Sequence, residues 1–269
     1  MNRMKLHNVL FLAAIVAASL VPVSLTAQKS GSRPETRRSP LIVAAPPWQS
    51  GDVWAKFDHQ LLVDFADLAR FHDSDLKLGP PAAGQNRVVF MGDSITQGWN
   101  LQRSFPGKPY INRGISGQTS SQMLLRFRQD VINLRPKVVL ILAGTNDLAG
   151  NTGPVTLDQT EGNILSMAQL ATASGIRVVL CSVLPSVNFQ WHPGLKNPAP
   201  RIAALNKRIK ALTDKNGYVY VDYYSAMKDA QGGLPRKLSR DGVHPLPAGY
   251  QIMAPLAETG IEKALKEKD

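Results

Sequence analysis

Residues 88–91, Val-Val-Phe-Met, form a short apolar run that breaks at once into Gly92, Asp93 and Ser94. A run of this length without polar alternation reads as a strand covered on both faces, the pattern of a central strand in a parallel sheet. In open α/β sheets ligands lie beyond the carboxyl ends of the strands. Ser94, just past such an end, therefore stands where chemistry is done.

The rest of the chain repeats this arrangement. Residues 110–113 predict a short second strand that runs into Gly114-Ile115-Ser116-Gly117-Gln118-Thr119. Strand 138–142 stops at Ala143-Gly144-Thr145-Asn146-Asp147, and further strands are predicted over 176–183 and 218–221. Between them apolar residues recur at helical spacing. One such face is Met123, Leu124, Phe127, Val131 and Leu134, ended by Pro136. A second is Ile164, Met167, Ala168 and Ala171, with Thr156 and Gln159 as a capping box and Gly175 as the stop. A third is Ile202, Leu205, Ile209 and Leu212, ended by Gly217, and the last carries Tyr250, Ala254, Ala257, Ile261 and Leu265. Strands alternating with amphipathic helices predict an α/β domain with a mainly parallel sheet covered on both faces.

The ends of the chain read differently. Arg3 and Lys5 precede an apolar run over 9–20 and small residues up to Ala27, so residues 1–27 are expected to be a secretory signal peptide and the protein exported, to the periplasm or beyond. Ser19 and Pro22 interrupt the run before it reaches bilayer length, so no stable membrane anchor is expected after cleavage. Residues 28–47, rich in Ser, Arg and Pro, read as a disordered linker. Residues 48–84 read as an N-terminal helical extension. In it Trp54, Phe57, Leu61, Phe65 and Leu68 predict an aromatic-faced helix over 53–68, packed against the main domain of residues 85–269. Cys181, the one cysteine, has no partner for a disulfide and reads as a small core residue. The net charge of +11, which falls by two to +9 without Arg3 and Lys5, is spread over solvated helix faces rather than clustered, so no nucleic-acid partner is expected.

A serine hydroxyl needs an adjacent base, usually a histidine whose second nitrogen is held by a carboxylate. Asp241-Gly242-Val243-His244-Pro245 offers both within one tight turn. The backbone amides of Ser94 and Gly117 and the side-chain amide of Asn146 are candidate donors to an oxyanion. A metal reading is poorer, because Asp241 and His244 would need further ligands and His192 is the only plausible histidine to join them. No Gly-x-Ser-x-Gly elbow surrounds Ser94, which argues against the α/β-hydrolase fold, and no dinucleotide fingerprint is present.

Taken together, Gly92-Asp93-Ser94-Ile95-Thr96, Asn112-x-Gly114-x-x-Gly117, Gly144-x-Asn146-Asp147 and Asp241-x-x-His244-Pro245 resemble the four blocks of the SGNH (GDSL-type) hydrolases. The resemblance implies a flavodoxin-like three-layer αβα sandwich with Ser94 as nucleophile and Asp241 and His244 completing the triad. It also implies Ser94, Gly117 and Asn146 as the oxyanion hole, and ester hydrolysis with no metal and no other cofactor. Ile95 stands where the family name has Leu, a conservative change.

Substrate expectations rest on the loop over 185–200, which follows a strand end and presents Phe189 and Trp191 beside Asn188 and His192. Isolated rings among polar residues suit a sugar better than a long acyl chain, and no amphipathic insertion is available as a lipid lid. Trp191 and His192 are thus expected to bind substrate, a small-molecule or carbohydrate ester with a short acyl group. A lysophospholipase or thioesterase of the same family is the alternative. A non-catalytic glycan-binding module is the rival from another class, but it would have no reason to keep both triad and oxyanion residues.

Overall fold

A computed structural model of the chain describes residues 61–266. The signal peptide expected over 1–27, the linker expected over 28–47 and most of the helix expected over 53–68 lie outside the described residues.

Five apolar segments become five strands: β1 (Val88–Gly92), β2 (Tyr110–Gly114), β3 (Val138–Leu142), β4 (Arg177–Cys181) and β5 (Val219–Val221). All pair in parallel, in the order β2-β1-β3-β4-β5. β1 and β3, next to each other at the centre, are buried at every residue, as their unbroken apolar sequences require. The order reverses direction beside β1, and in sheets of this kind that switch point is where ligands bind.

The helices are α1 (Ala69–Leu78), α2 (Ser94–Gln97), α3 (Leu101–Ser104), α4 (Ser120–Asp130), α5 (Thr145–Ala149), α6 (Leu157–Ala173), α7 (Ala199–Asn216), α8 (Tyr223–Met227) and α9 (Pro247–Lys266). α4 packs on α6, and α6 and α7 pack on each other and on β4. α9 lies across β3, β4 and β5, burying Met253, Ala257, Ile261 and Ala264. The result is an α/β three-layer fold. The capping box predicted from Thr156 and Gln159 starts α6, and Gly217, in the left-handed region at φ 70°, stops α7. Cys181 is buried in the core. No helix among the described residues is long and apolar enough to cross a membrane.

The N-terminal extension departs from expectation. Residues 61–63 are helical, but the helix does not continue to Leu68, and α1 begins immediately after that residue. Asp64 makes the break: its carbonyl accepts from the amide of Asp67 at 2.9 Å and its side chain from the amide of Ala69 at 3.0 Å. Such local side-chain bonding competes with helix continuation. Phe65 and Leu68 are consequently 38% and 42% exposed rather than core, and Ala66 is buried in their place. The segment is held by its backbone. The carbonyls of Phe65, Ala66 and Leu68 accept from the side chains of Gln122, Gln118 and Gln129. Further along, Asp75 pairs with Arg113 of β2.

Candidate active site

β1 ends at Gly92 and the chain turns directly into α2, with Ser94 as its first residue. Asp93 secures the turn, its buried carboxylate accepting from the amide of Ile95 at 2.9 Å. Burial pushes the Asp93 pKa up to about 6, against the opposing pull of that bond and of His244. The Ser94 amide, at the start of a helix, has no intrahelical acceptor.

β2 ends beside this helix. Asn112 Nδ2 donates to the carbonyls of Thr96 and Trp99 at 2.6 and 3.1 Å, and its Oδ1 accepts from the Gly114 amide at 2.9 Å. This staples the β2 end to the segment carrying Ser94. Gly114 has to lack a side chain, since a Cβ there would collide with the backbone of Thr96 and Gln97. Gly117 turns the following loop at φ +79°, where a glycine is free of strain. Its amide makes no backbone hydrogen bond to another described residue.

β3 delivers Asn146 on α5, buried almost completely. Its Oδ1 accepts from Asn151 Nδ2 at 3.0 Å, and its Nδ2 donates to the Gln118 carbonyl at 3.0 Å and reaches Asp93 Oδ2 at 3.4 Å. Asn151 Nδ2 also donates to the Gly117 carbonyl at 3.0 Å. The next residue, Asp147, ties this strand end to the start of α4: it accepts from the amide of Ser120 at 2.9 Å and from the Ser120 hydroxyl.

The turn before α9 supplies the remaining pair. Ser94 Oγ lies 2.8 Å from His244 Nε2, and His244 Nδ1 lies 2.6 Å from Asp241 Oδ2. The other carboxylate oxygen, Oδ1, accepts from the Ser239 hydroxyl at 2.9 Å and from the amides of Val243 and His244 at 2.9 and 2.8 Å. Burial alone would raise the Asp241 pKa, but the bonds from His244, Val243 and Ser239 outweigh it and hold the carboxyl well below the usual carboxylate range.

The loop expected to overhang the site does so through Trp191, whose ring centroid is 6.2 Å from that of His244 and stacks on buried Phe189 at 5.1 Å. Trp191 Nε1 donates to Asn151 Oδ1 at 3.0 Å, joining the loop to the Asn146 cluster. His192 is different. It is buried, neither ring nitrogen has a hydrogen-bond partner among the described residues, and burial pushes its pKa below the usual histidine value. Sequence reasoning picked out neither Gln118 nor Asn151, since nothing in a single polar residue of a loop announces a buried bonding role. Among the described residues no cluster of His, Cys, Asp and Glu could hold a metal ion.

Residues 90–252 match the GDSL-like Lipase/Acylhydrolase family. The chain belongs to this family. It is 30% identical over 179 residues to Esterase TesA of Pseudomonas aeruginosa, covering 61% of this chain and 81% of that one. It is 28% identical over 175 residues to an acetylxylan esterase of Geobacillus stearothermophilus, covering 60% and 78%. A lipoprotein, YqeF of Bacillus subtilis, is 30% identical over 128 residues, covering 40% of this chain and 53% of that one. The crystal structure of a GDSL-like lipase from Bacteroides thetaiotaomicron superposes with a TM-score of 0.72 at 46% identity, over 75% of this chain and all of that one. The protein is a carboxylic ester hydrolase of the GDSL type.

Proposed function

We propose that this hydrolase cleaves short-chain acyl esters through a Ser94-His244-Asp241 triad, with acetylated carbohydrate as the substrate class. The observation that carries the reading is the continuous chain of contacts from Ser94 Oγ to His244 Nε2 at 2.8 Å and from His244 Nδ1 to Asp241 Oδ2 at 2.6 Å. Ser94 Oγ attacks the ester carbonyl carbon while His244 Nε2 takes its proton, and Asp241 holds the imidazolium that forms. The carbonyl oxygen becomes an oxyanion, met by the amides of Ser94 and Gly117 and by Asn146 Nδ2. Of the two protons on that nitrogen, one is held by the Gln118 carbonyl at 3.0 Å and the other faces Asp93 at a loose 3.4 Å, free to be recruited as charge develops. As the intermediate collapses, His244 gives its proton to the leaving alcohol. Water, deprotonated by His244, then attacks the acyl-enzyme and releases the acid and Ser94.

The substrate class rests on Trp191, a ring beside His244 in a polar loop, and on the acetylxylan esterase among the relatives. In this reading Trp191 faces substrate and His192 supports the loop from behind. The enzyme acts outside the cytoplasm, delivered by residues 1–27 as a signal peptide, a reading supported by its likeness to a lipoprotein. Rates on p-nitrophenyl esters from acetyl to dodecanoyl test the acyl preference, with kcat/KM expected to fall as the chain lengthens. Acetate release from acetylated oligosaccharides tests the alcohol. Ser94→Ala should abolish both hydrolysis and labelling by an organophosphonate; labelling that persists in the variant would remove Ser94 from the mechanism.

A further inference from the structure

Arg126 of α4 is fully buried, a costly place for a guanidinium unless every side of it is met. Its Nη1 donates to Asp130 Oδ2 at 2.8 Å, its Nη2 to the Gly92 carbonyl at 3.0 Å and its Nε to Gln118 Oε1 at 2.6 Å. The partners bracket the site: Gly92 ends the strand that leads to Ser94, and Gln118 follows Gly117. Gln118 is itself buried and fixed at both ends of its carboxamide, because its Nε2 donates to the Ala66 carbonyl at 2.8 Å. The main-chain carbonyl of this doubly anchored residue receives Asn146 Nδ2 at 3.0 Å.

We infer that Gln118 is a positioning residue for Asn146, clamped between Arg126 and the Ala66 carbonyl so that its own carbonyl orients the Asn146 amide. The segment around Ala66, outside the residues that match the family, thereby becomes part of the support of the reacting centre. The inference rests on the proposed oxyanion role of Asn146. Gln129 is the internal contrast: it also holds the N-terminal segment, through the Leu68 carbonyl at 2.6 Å, and donates to Asp130 Oδ1 at 3.0 Å, the carboxylate oxygen that Arg126 does not use, but among the described residues it makes no side-chain bond to Gly92, Gln118 or Asn146.

The experiment is a double-mutant cycle on p-nitrophenyl acetate with the full chain. Gln118→Met is expected to lower kcat about tenfold with KM nearly unchanged, since small displacements of a group that meets the transition state are felt in kcat. Gln129→Ala should leave kcat unaltered. In an Asn146→Ala background Gln118→Met should cost nothing further, because the group it positions is gone. Gln118→Glu keeps the acceptor for Arg126 but sets a carboxylate oxygen against the Ala66 carbonyl where the amide donated, so it should recover only part of the lost kcat; run through the same cycle, it also serves if the methionine variant fails to fold. Organophosphonate labelling of Ser94 counts the folded sites in each variant. A full kcat penalty for Gln118→Met in the Asn146→Ala background overturns the positioning role, as does a loss no larger than that of Gln129→Ala. An unslowed Asn146→Ala enzyme instead overturns the oxyanion reading beneath it.

Discussion

Asp241 and His244 are held by a turn that binds itself, whereas Asn146 is held by the rest of the protein. Among the described residues every hydrogen bond to the Asp241 carboxylate comes from residues 239–244, and the pair sits at the surface with side chains 36% and 42% exposed. Asn146 is buried, and its partners Asn151, Gln118 and Asp93 lie up to 53 residues away. A base has to accept and release protons and tolerates contact with water. An oxyanion donor is worth most when fixed in a dry site, where it needs no reorganisation at the moment of reaction. In the proposed mechanism the two construction plans follow from these two jobs.

The largest expected effect lies on the locally built side. In the proposed mechanism His244→Ala removes the group that takes the Ser94 proton, and kcat for p-nitrophenyl acetate should fall about 10⁴–10⁶-fold. Asn146→Ala should cost less, about 10²–10³-fold in kcat with KM nearly unchanged, because in the proposed mechanism its amide meets charge that exists only in the transition state. Steady-state kinetics on both variants sharpens the contrast. A pure KM effect for Asn146→Ala would make it a ground-state contact and dissolve the distinction between the two halves.

The same contrast explains what could be read from the chain. The Asp241-x-x-His244 turn is legible because its logic is contained in adjacent residues, and strand 138–142 because an unbroken apolar run has one use in a parallel sheet. The roles of Gln118, Arg126 and Asn151 are invisible in a linear reading, since a buried polar side chain looks like a surface one until its distant partner is known. The break at Asp64 is hidden in the sequence for a related reason. Apolar spacing from Leu61 to Leu68 satisfies a helical period, and the bond that the Ala69 amide donates to the Asp64 side chain competes with helix continuation without leaving a mark in that period.

A third test addresses the floor shared by both halves. Asp93 caps the Ser94 helix and faces Asn146, and its pKa is raised by burial from an unfolded value of about 3.9 to about 6. Between those values the folded state holds the proton more tightly than the unfolded state, so this group's contribution to stability falls as pH rises from about 4 to 6 and stays low above. A shift of about two units corresponds to up to about 3 kcal/mol. Asparagine caps helices as well as aspartate does. The stability of Asp93→Asn relative to the parent, from urea unfolding, should therefore climb between pH 4 and 6 and then level off. A difference independent of pH would mean that the buried carboxylate is not strained by its surroundings.

The smallest effect is expected at His192, and it separates a catalytic histidine from a buried one. His244 has a carboxylate on one nitrogen and the Ser94 hydroxyl on the other, while His192 has a partner on neither among the described residues. A buried polar group left unpaired costs about 1–3 kcal/mol, so replacing it by an apolar side chain of similar size is neutral or stabilising. His192→Leu should thus hold or raise the melting temperature, and His192→Ala should lose far less kcat/KM than His244→Ala. What remains of its effect should act through the neighbouring Trp191, whose stacking on Phe189 and bond to Asn151 fix the loop beside His244. That residue should then matter for KM on a bulky sugar ester more than for kcat on p-nitrophenyl acetate. Equal losses at the two histidines on the small ester would reverse the assignment and make the buried imidazole a participant in proton transfer.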